Sequence, residues 1–142
     1  MDATDELLVA CRRFIQATDL CEERVAARLG IGRSDLRAVN LLEHGPVSHA
    51  HVARQLGLTP ASVTALIDRL QAQGLVTRTP HPTDRRVTHV ELLPHAWTEL
   101  AAVYRPIGRA VLDATSARTP AQHTELATLL QHLADVFDQQ PT

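Results

Sequence analysis

The sequence predicts a mainly α-helical fold that contains one small β-hairpin. Apolar residues recur at intervals of three and four over most of the 142 residues, which is the periodicity of amphipathic helices. Two short segments rich in valine, leucine and threonine, residues 75–79 and 87–93, break that periodicity and predict two strands. A chain of this length typically forms one domain, so we expect a single domain over residues 1–142.

Two helices are predicted before the centre of the chain. The first covers residues 5–29 and is expected to end near Gly30. It carries one apolar seam formed by Leu7, Cys11, Phe14, Thr18, Cys21 and Val25. The second helix is expected to begin with Ser34 as its N-cap and to run through Glu43. Its inward-facing residues are predicted to be Leu36, Val39 and Leu42.

Two short helices with a tight turn between them are predicted next. Ser48 is suited to cap the first of them, and Gly57 is expected to end it. Thr59 can cap the second, and Pro60 fits its first helical position, where a missing N–H costs nothing. The buried stripe of this helix is predicted to be Val63, Leu66, Ile67 and Leu70. This arrangement is the signature of a helix-turn-helix, and the hairpin that follows it would make a winged helix-turn-helix module over residues 34–93.

Two long helices are predicted after the hairpin, together covering residues 95–138. Pro94 marks the start of one, and Thr119-Pro120 the start of the other. Their apolar positions are Trp97, Leu100, Tyr104, Ile107, Val111, Leu126, Leu129, Leu130, Leu133 and Phe137. The central module is too small to cover these seams and that of the first helix. We therefore expect a homodimer in which residues 5–29 and 95–138 form the dimerisation helices.

Charge is distributed unevenly along the chain. The formal net charge is −2, yet residues 48–92 hold five arginines against three acidic residues, a net of +2. DNA binding needs local positive charge, and acidic flanks do not abolish it. The central module is therefore the candidate for binding double-stranded DNA.

The helix that begins at Pro60 is the predicted recognition helix. Its exposed face would carry small and hydroxylated side chains near its N-terminal end, which allow close approach to base edges. Arg69 is better placed for a phosphate. The candidate DNA-binding residues in and before this helix are Ser48, Ala61, Ser62, Thr64, Ala65 and Arg69.

The predicted hairpin tip carries Thr83-Asp84-Arg85-Arg86. Arginine gains energy in a narrow minor groove because the potential there is strongly negative, so Arg85 and Arg86 are the candidate wing contacts. Asp84 could hold a guanidinium in a fixed pose. The alternative is a winged-helix module used for protein–protein contact, which would tolerate loss of these arginines.

The order of these motifs resembles the MarR family of transcription regulators. The resemblance rests on Ser62-Val63-Thr64, Asp68-Arg69-Leu70, Gln73-Gly74-Leu75-Val76 and Asp84-Arg85-Arg86. It implies a homodimer on a pseudo-palindromic operator, usually a repressor released by a small ligand or by oxidation. It also implies an effector pocket between the winged module and the dimer helices. The candidate pocket residues are Phe14, Val39, Asn40, Trp97 and Tyr104.

Other kinds of site find weaker support. Cys11 and Cys21 could make the chain a redox-sensing regulator, but ten residues of helix separate them by roughly 15 Å, so a disulfide would have to cross the dimer. The favoured interpretation is two small hydrophobic residues packed at an interface. No histidine pair has the spacing of four found in helical zinc sites, and there is no glycine-rich phosphate loop or Gly-x-Ser-x-Gly motif. We expect no metal, no cofactor and no enzymatic activity. No apolar run approaches the roughly 20 residues that span a membrane, and a cytoplasmic location is expected.

Overall fold

The computed structural model describes residues 2–139. In chain order the elements are α1 (Ala3–Leu29), α2 (Arg33–Leu42), β1 (Val47–Ser48), α3 (His49–Leu56), α4 (Pro60–Ala72), β2 (Val76–Pro80), β3 (Thr88–Leu92), α5 (Pro94–Ala114) and α6 (Pro120–Asp138). This confirms the predicted fold class, which is mainly helical with a small hairpin. Two compact units divide the chain, one ending at Tyr104 and the other beginning at Arg105.

The helix ends follow local capping chemistry. Thr59 accepts a hydrogen bond from the backbone N–H of Ser62, with Pro60 at the first helical position, and Thr119 closes a capping box with Gln122. Gly30 and Gly57 adopt the left-handed conformation at the ends of α1 and α3. These helix boundaries confirm the expectations from the sequence.

Two element boundaries differ from the expectations. Ser34 is not the N-cap of α2, because the helix already begins at Arg33 and Gly32 occupies the cap without a side-chain hydrogen bond. Pro80 lies at the end of β2 and not in the loop. Its missing N–H does no harm there, because β2 is an edge strand of the sheet.

The sheet has a third strand that the sequence did not indicate. Its strands are antiparallel in the order β1-β3-β2. The two-residue β1 places Val47 opposite Val90 and Ser48 opposite His89. Strand β3 is therefore paired on both sides, and it joins the start of α3 to the hairpin.

The core of the first unit lies beneath the helix-turn-helix. Its fully or almost fully buried residues include Val25, Leu29, Leu36, Val39, Leu42, Val52, Val63, Leu66, Ile67, Leu70, Leu75, Val76, Val90, Leu92, Ala96 and Leu100. The predicted inward faces of α2 and α4 are thus confirmed. Burying one face of α4 in this core fixes which face remains for contact with a partner.

Candidate nucleic-acid interface

The N-terminal end of α4 presents short polar side chains to solvent. Ala61, Ser62, Thr64 and Ala65 are all exposed. The Ser62 hydroxyl oxygen accepts from the Thr59 hydroxyl at 2.9 Å, which leaves the Ser62 proton available as a donor. The Thr64 hydroxyl donates to the carbonyl oxygen of Pro60 at 3.1 Å, which leaves its oxygen available as an acceptor. This end of the helix therefore offers both a donor and an acceptor without a bulky side chain in the way.

Ser48 has a structural duty at the start of α3. Its hydroxyl oxygen accepts from the backbone N–H of His51 at 3.1 Å, as predicted for an N-cap. Ser48 is partly buried, and its hydroxyl can still donate one hydrogen bond.

Arg69 is held by a carboxylate from another helix. Its Nε and Nη2 donate to the two carboxylate oxygens of Asp35, at 3.1 and 2.9 Å. The hydrogen bond with Asp35 raises the pKa of the Arg69 guanidinium. The Asp35 side chain is only 12% exposed, whereas that of Arg69 is 57% exposed. The ion pair thus fixes α4 against α2 while one edge of the guanidinium still faces solvent.

A second arginine, which the sequence did not single out, ties α4 to the hairpin. Arg78 lies on β2, and its Nη2 is 2.6 Å from Oδ1 of Asp68 on α4. It also donates to the side-chain oxygen of Gln71 on the same helix. Polar and charged side chains therefore link α4 to α2 through Arg69 and to β2 of the hairpin through Arg78.

The wing loop orients one of its two arginines. Oδ1 of Asp84 accepts from the backbone N–H of Arg86 at 3.0 Å and from its Nε at 3.2 Å. The Arg86 side chain is nevertheless 92% exposed. Arg85 is exposed and makes no hydrogen bond or ion pair within residues 2–139. The loop thus presents one oriented guanidinium and one unrestrained guanidinium.

The five effector-pocket candidates differ in their surroundings. Val39 is fully buried in the core, so its side chain packs against protein and does not face an opening. Asn40 donates to Oε1 of Glu22 at 3.0 Å, and its own side-chain oxygen is buried with no hydrogen-bond partner among residues 2–139. Partial burial raises the pKa of Tyr104, and the nearby Glu43 raises it further. Phe14 and Trp97 remain about half exposed.

The two cysteines are free thiols, each partly buried. Among residues 2–139 no group of three or more histidine, cysteine or acidic side chains could hold a metal ion. No helix in that range is both long and apolar enough to cross a membrane.

Comparison with known proteins shows that the chain is similar to transcription regulators. A model of the MarR family matches residues 29–87, which run from the end of α1 through the wing arginines. The uncharacterized HTH-type transcriptional regulator YcgE from Bacillus subtilis is 28% identical over 130 residues, 91% of this chain and 84% of that protein. The HTH-type transcriptional repressor NicR from Pseudomonas putida is 38% identical over 52 residues, which are 37% of this chain and 33% of that protein.

A solved structure extends the similarity beyond the central module. RV1404 from Mycobacterium tuberculosis superposes with a TM-score of 0.65 at 26% identity, covering 93% of this chain and 90% of that one. The likeness therefore includes the long terminal helices as well as the hairpin and the helix-turn-helix. Residues 29–87 thus match the MarR family of transcription regulators, and the chain resembles an HTH-type transcriptional regulator over 91% of its length.

Proposed function

We propose that this chain is a cytoplasmic repressor that binds a pseudo-palindromic operator as a homodimer and is released by a small ligand. The observation that carries the proposal is the pairing of two DNA-binding features on one module. The exposed hydroxylated end of α4 and the oriented Arg86 belong to elements that Arg78 links together. A helix for the major groove and an arginine for the minor groove are the two contacts that a winged helix makes.

Ser62 and Thr64 are the proposed base-reading residues. Both side chains are short and carry one hydroxyl, so the helix backbone can approach the floor of the major groove. Ala61 and Ala65 beside them could contact thymine methyl groups. Ser48 and the solvent-facing edge of Arg69 are proposed as phosphate contacts, which position the protein without reading sequence.

The homodimer is supported by the apolar side chains that the terminal helices leave exposed. Phe14 on α1 is 56% exposed, Leu112 on α5 is 66% exposed and Leu130 on α6 is 51% exposed. None of the described residues of α6 is buried. A helix with an apolar side and no buried residue requires a partner surface to be stable in water. A second copy of the chain supplies that surface and also the second recognition helix.

The release by a small ligand rests on Phe14, Asn40, Trp97 and Tyr104. Their surroundings combine partly exposed aromatic rings with an unpaired buried amide oxygen, which suits a ligand with an apolar body and a hydrogen-bond donor. Val39 is fully buried in the core, so it contributes only packing. Oxidation of Cys11 or Cys21 is the alternative trigger, and a release assay with peroxide would distinguish it from a ligand.

A mobility-shift assay tests the DNA-binding assignment. The probe is the intergenic DNA beside the gene, and the variants are Arg86→Ala and a matched control, Arg118→Ala, which removes the same charge outside the winged module. We expect Arg86→Ala to weaken binding sharply and to lower the salt slope by about one unit for each wing. The control should bind as the wild type does. Equal affinity of the wild type and Arg86→Ala would refute the wing assignment and favour a protein-binding module.

A further inference from the structure

The wing loop is organised around one imidazole ring. His81 follows β2, and its Nδ1 lies 3.1 Å from the backbone nitrogen of Thr83 and 3.1 Å from that of Asp84. The Thr83 hydroxyl is a third neighbour at 3.2 Å. Backbone N–H groups can only donate, so Nδ1 must be the acceptor and the ring proton must lie on Nε2.

The ring is connected to the DNA-facing arginine through a single residue. His81 holds the backbone N–H of Asp84, and the carboxylate of Asp84 holds both the backbone and the side chain of Arg86. Two backbone hydrogen bonds close the same loop, from His81 N–H to the Val87 carbonyl and from Val87 N–H to the Asp84 carbonyl, each 3.0 Å long. The position of Asp84, and therefore of the Arg86 guanidinium, depends on the acceptor at His81.

A second histidine fixes the orientation of the ring. His89 on β3 packs edge-on against His81, with the ring centroids 4.6 Å apart and the planes at 86°. His89 in turn lies opposite Ser48 of β1, the N-cap of α3. The imidazole of His81 is thus supported by the sheet and directed into the loop.

We propose that His81 is a positioning residue for DNA binding, which sets the wing through its unprotonated Nδ1 and releases the wing when that nitrogen takes up a proton. The proposal rests on the proposed function, because it concerns how the wing arginine is presented to DNA. A protonated ring would carry an N–H directed at two other N–H donors, so the loop could not keep its present form. The titratable groups that contact the ring are His89 on β3 and, through its backbone N–H, Asp84, whose carboxylate in turn holds Arg86.

The proposal makes a prediction that simple electrostatics does not. Protonating any histidine adds positive charge, which by itself strengthens DNA binding. Protonating His81 removes the acceptor that orients Asp84, so binding should weaken through this residue as the pH falls. Histidine is the side chain that ordinarily changes charge between about pH 5 and pH 8, so the experiment compares about pH 8 with about pH 5.5.

The matched variant is His81→Asn. An asparagine oxygen occupies the position of Nδ1, and an asparagine readily accepts from the backbone N–H groups two and three residues ahead. It cannot take up a proton in this pH range. His81→Ala removes the acceptor altogether. Binding to the operator fragment is measured by fluorescence anisotropy for the wild type, both His81 variants, Arg86→Ala and the double variant His81→Ala/Arg86→Ala.

We expect His81→Ala to bind about tenfold more weakly at the higher pH, as expected for losing two to three hydrogen bonds that order a loop. His81→Asn should bind as the wild type does at the higher pH and should bind several-fold more tightly than the wild type at the lower pH. In the Arg86→Ala background the His81→Ala change should have little further effect, because the residue acts through Arg86.

The outcomes separate the inference from the proposed function. If Arg86→Ala binds as tightly as the wild type, the proposed wing contact is itself wrong. If Arg86→Ala weakens binding while His81→Ala does not, only the role of His81 is refuted. Additive losses in the double variant, or identical pH profiles for the wild type and His81→Asn, would also overturn it. Circular dichroism of each variant confirms that the remainder of the chain stays folded.

Discussion

The turn between α3 and α4 depends on the backbone of Gly57, and the structure isolates that dependence unusually well. Gly57 has φ 65° and ψ 37°, and its N–H donates to the carbonyl of Ala53. A Cβ built on Gly57 would meet no atom within 4 Å. Substituting alanine therefore adds no steric clash, and the whole cost is that of forcing an L-residue into the left-handed region.

That cost is about 1–2 kcal/mol per residue. Alanine also reduces the conformational entropy of the unfolded chain. Where the native φ suits alanine, this effect stabilises a protein by about 0.4–1 kcal/mol, but at a positive φ the strain in the folded state is larger. We expect Gly57→Ala to lower the free energy of unfolding by about 1 kcal/mol. Gly57→Asn should lose less than Gly57→Ala, since asparagine tolerates this conformation better than other residues with a side chain.

Urea denaturation at one fixed protein concentration measures both variants, because the stability of a dimer depends on concentration. The denaturation slope should stay constant, which would show that the surface exposed on unfolding is unchanged. The turn also sets the start of α4, so Gly57→Ala should weaken operator binding more than its loss of stability alone explains. A Gly57→Ala variant as stable as the wild type, or less affected than Gly57→Asn, would refute this account of the turn.

Three further predictions concern the operator, the dimer and pH. Thr64→Ala should change which bases are preferred, because a lost base contact costs about 1–3 kcal/mol. Binding to operators altered one base pair at a time measures this change, and unchanged preferences would show that Thr64 does not read DNA. Deletion of residues 120–142 should abolish dimerisation in light scattering, and a truncated chain that remains dimeric would refute the role of α6. Partial burial raises the pKa of Glu43, so the folded state prefers its neutral form and stability should rise as the pH falls through that raised pKa towards about 4.5. Glu43→Gln should raise the free energy of unfolding at neutral pH and remove this acid-side rise, and an unchanged pH profile would contradict the burial argument.

The parts of the fold that the sequence predicted are those governed by local chemistry. The caps at Thr59 and Thr119 and the buried stripe of α4 follow from neighbouring residues and from a 3.6-residue period. Ser34 shows the limit of such reasoning, because Gly32 also fits an N-cap and only the actual path of the chain decides between them. Strand β1 could not be predicted, since two residues carry no periodicity and their partners lie more than 40 residues away.

At the candidate DNA interface, too, contacts between residues close in sequence were predictable, whereas contacts between distant residues were not. The exposed hydroxyl groups of α4 and the pairing of Asp84 with Arg86 follow from short-range spacing. The bond between Arg69 and Asp35 joins residues 34 positions apart, and nothing in either neighbourhood indicates it. The acceptor role of His81 could not be predicted, because a histidine beside a proline in a loop is usually solvated and only the folded loop places the backbone N–H groups of Thr83 and Asp84 at its Nδ1.

The ion pairs also determine how much positive charge the winged module can offer to DNA. Residues 48–92 contain five arginines, but carboxylates of the protein already hold Arg69 and Arg78. Asp84 also contacts Arg86, whose side chain nevertheless stays 92% exposed. If Arg69 touches a phosphate only with its free edge while it stays paired with Asp35, its charge is already compensated, and only Arg54, Arg85 and Arg86 neutralise phosphates. A dimer then neutralises six phosphates, and the logarithm of the binding constant should fall with the logarithm of the salt concentration with a slope of about −5. If Arg69 and Arg78 also exchange their carboxylate partners for phosphates, the slope should be about −9. Binding measured over a range of potassium chloride concentrations separates the two cases.

We expect the shallower slope, because Asp35 is almost fully buried and would lose the cation that compensates its charge if Arg69 turned to DNA. A slope near the steeper value would show that DNA displaces Asp35 and that the ion pair belongs only to the unbound protein.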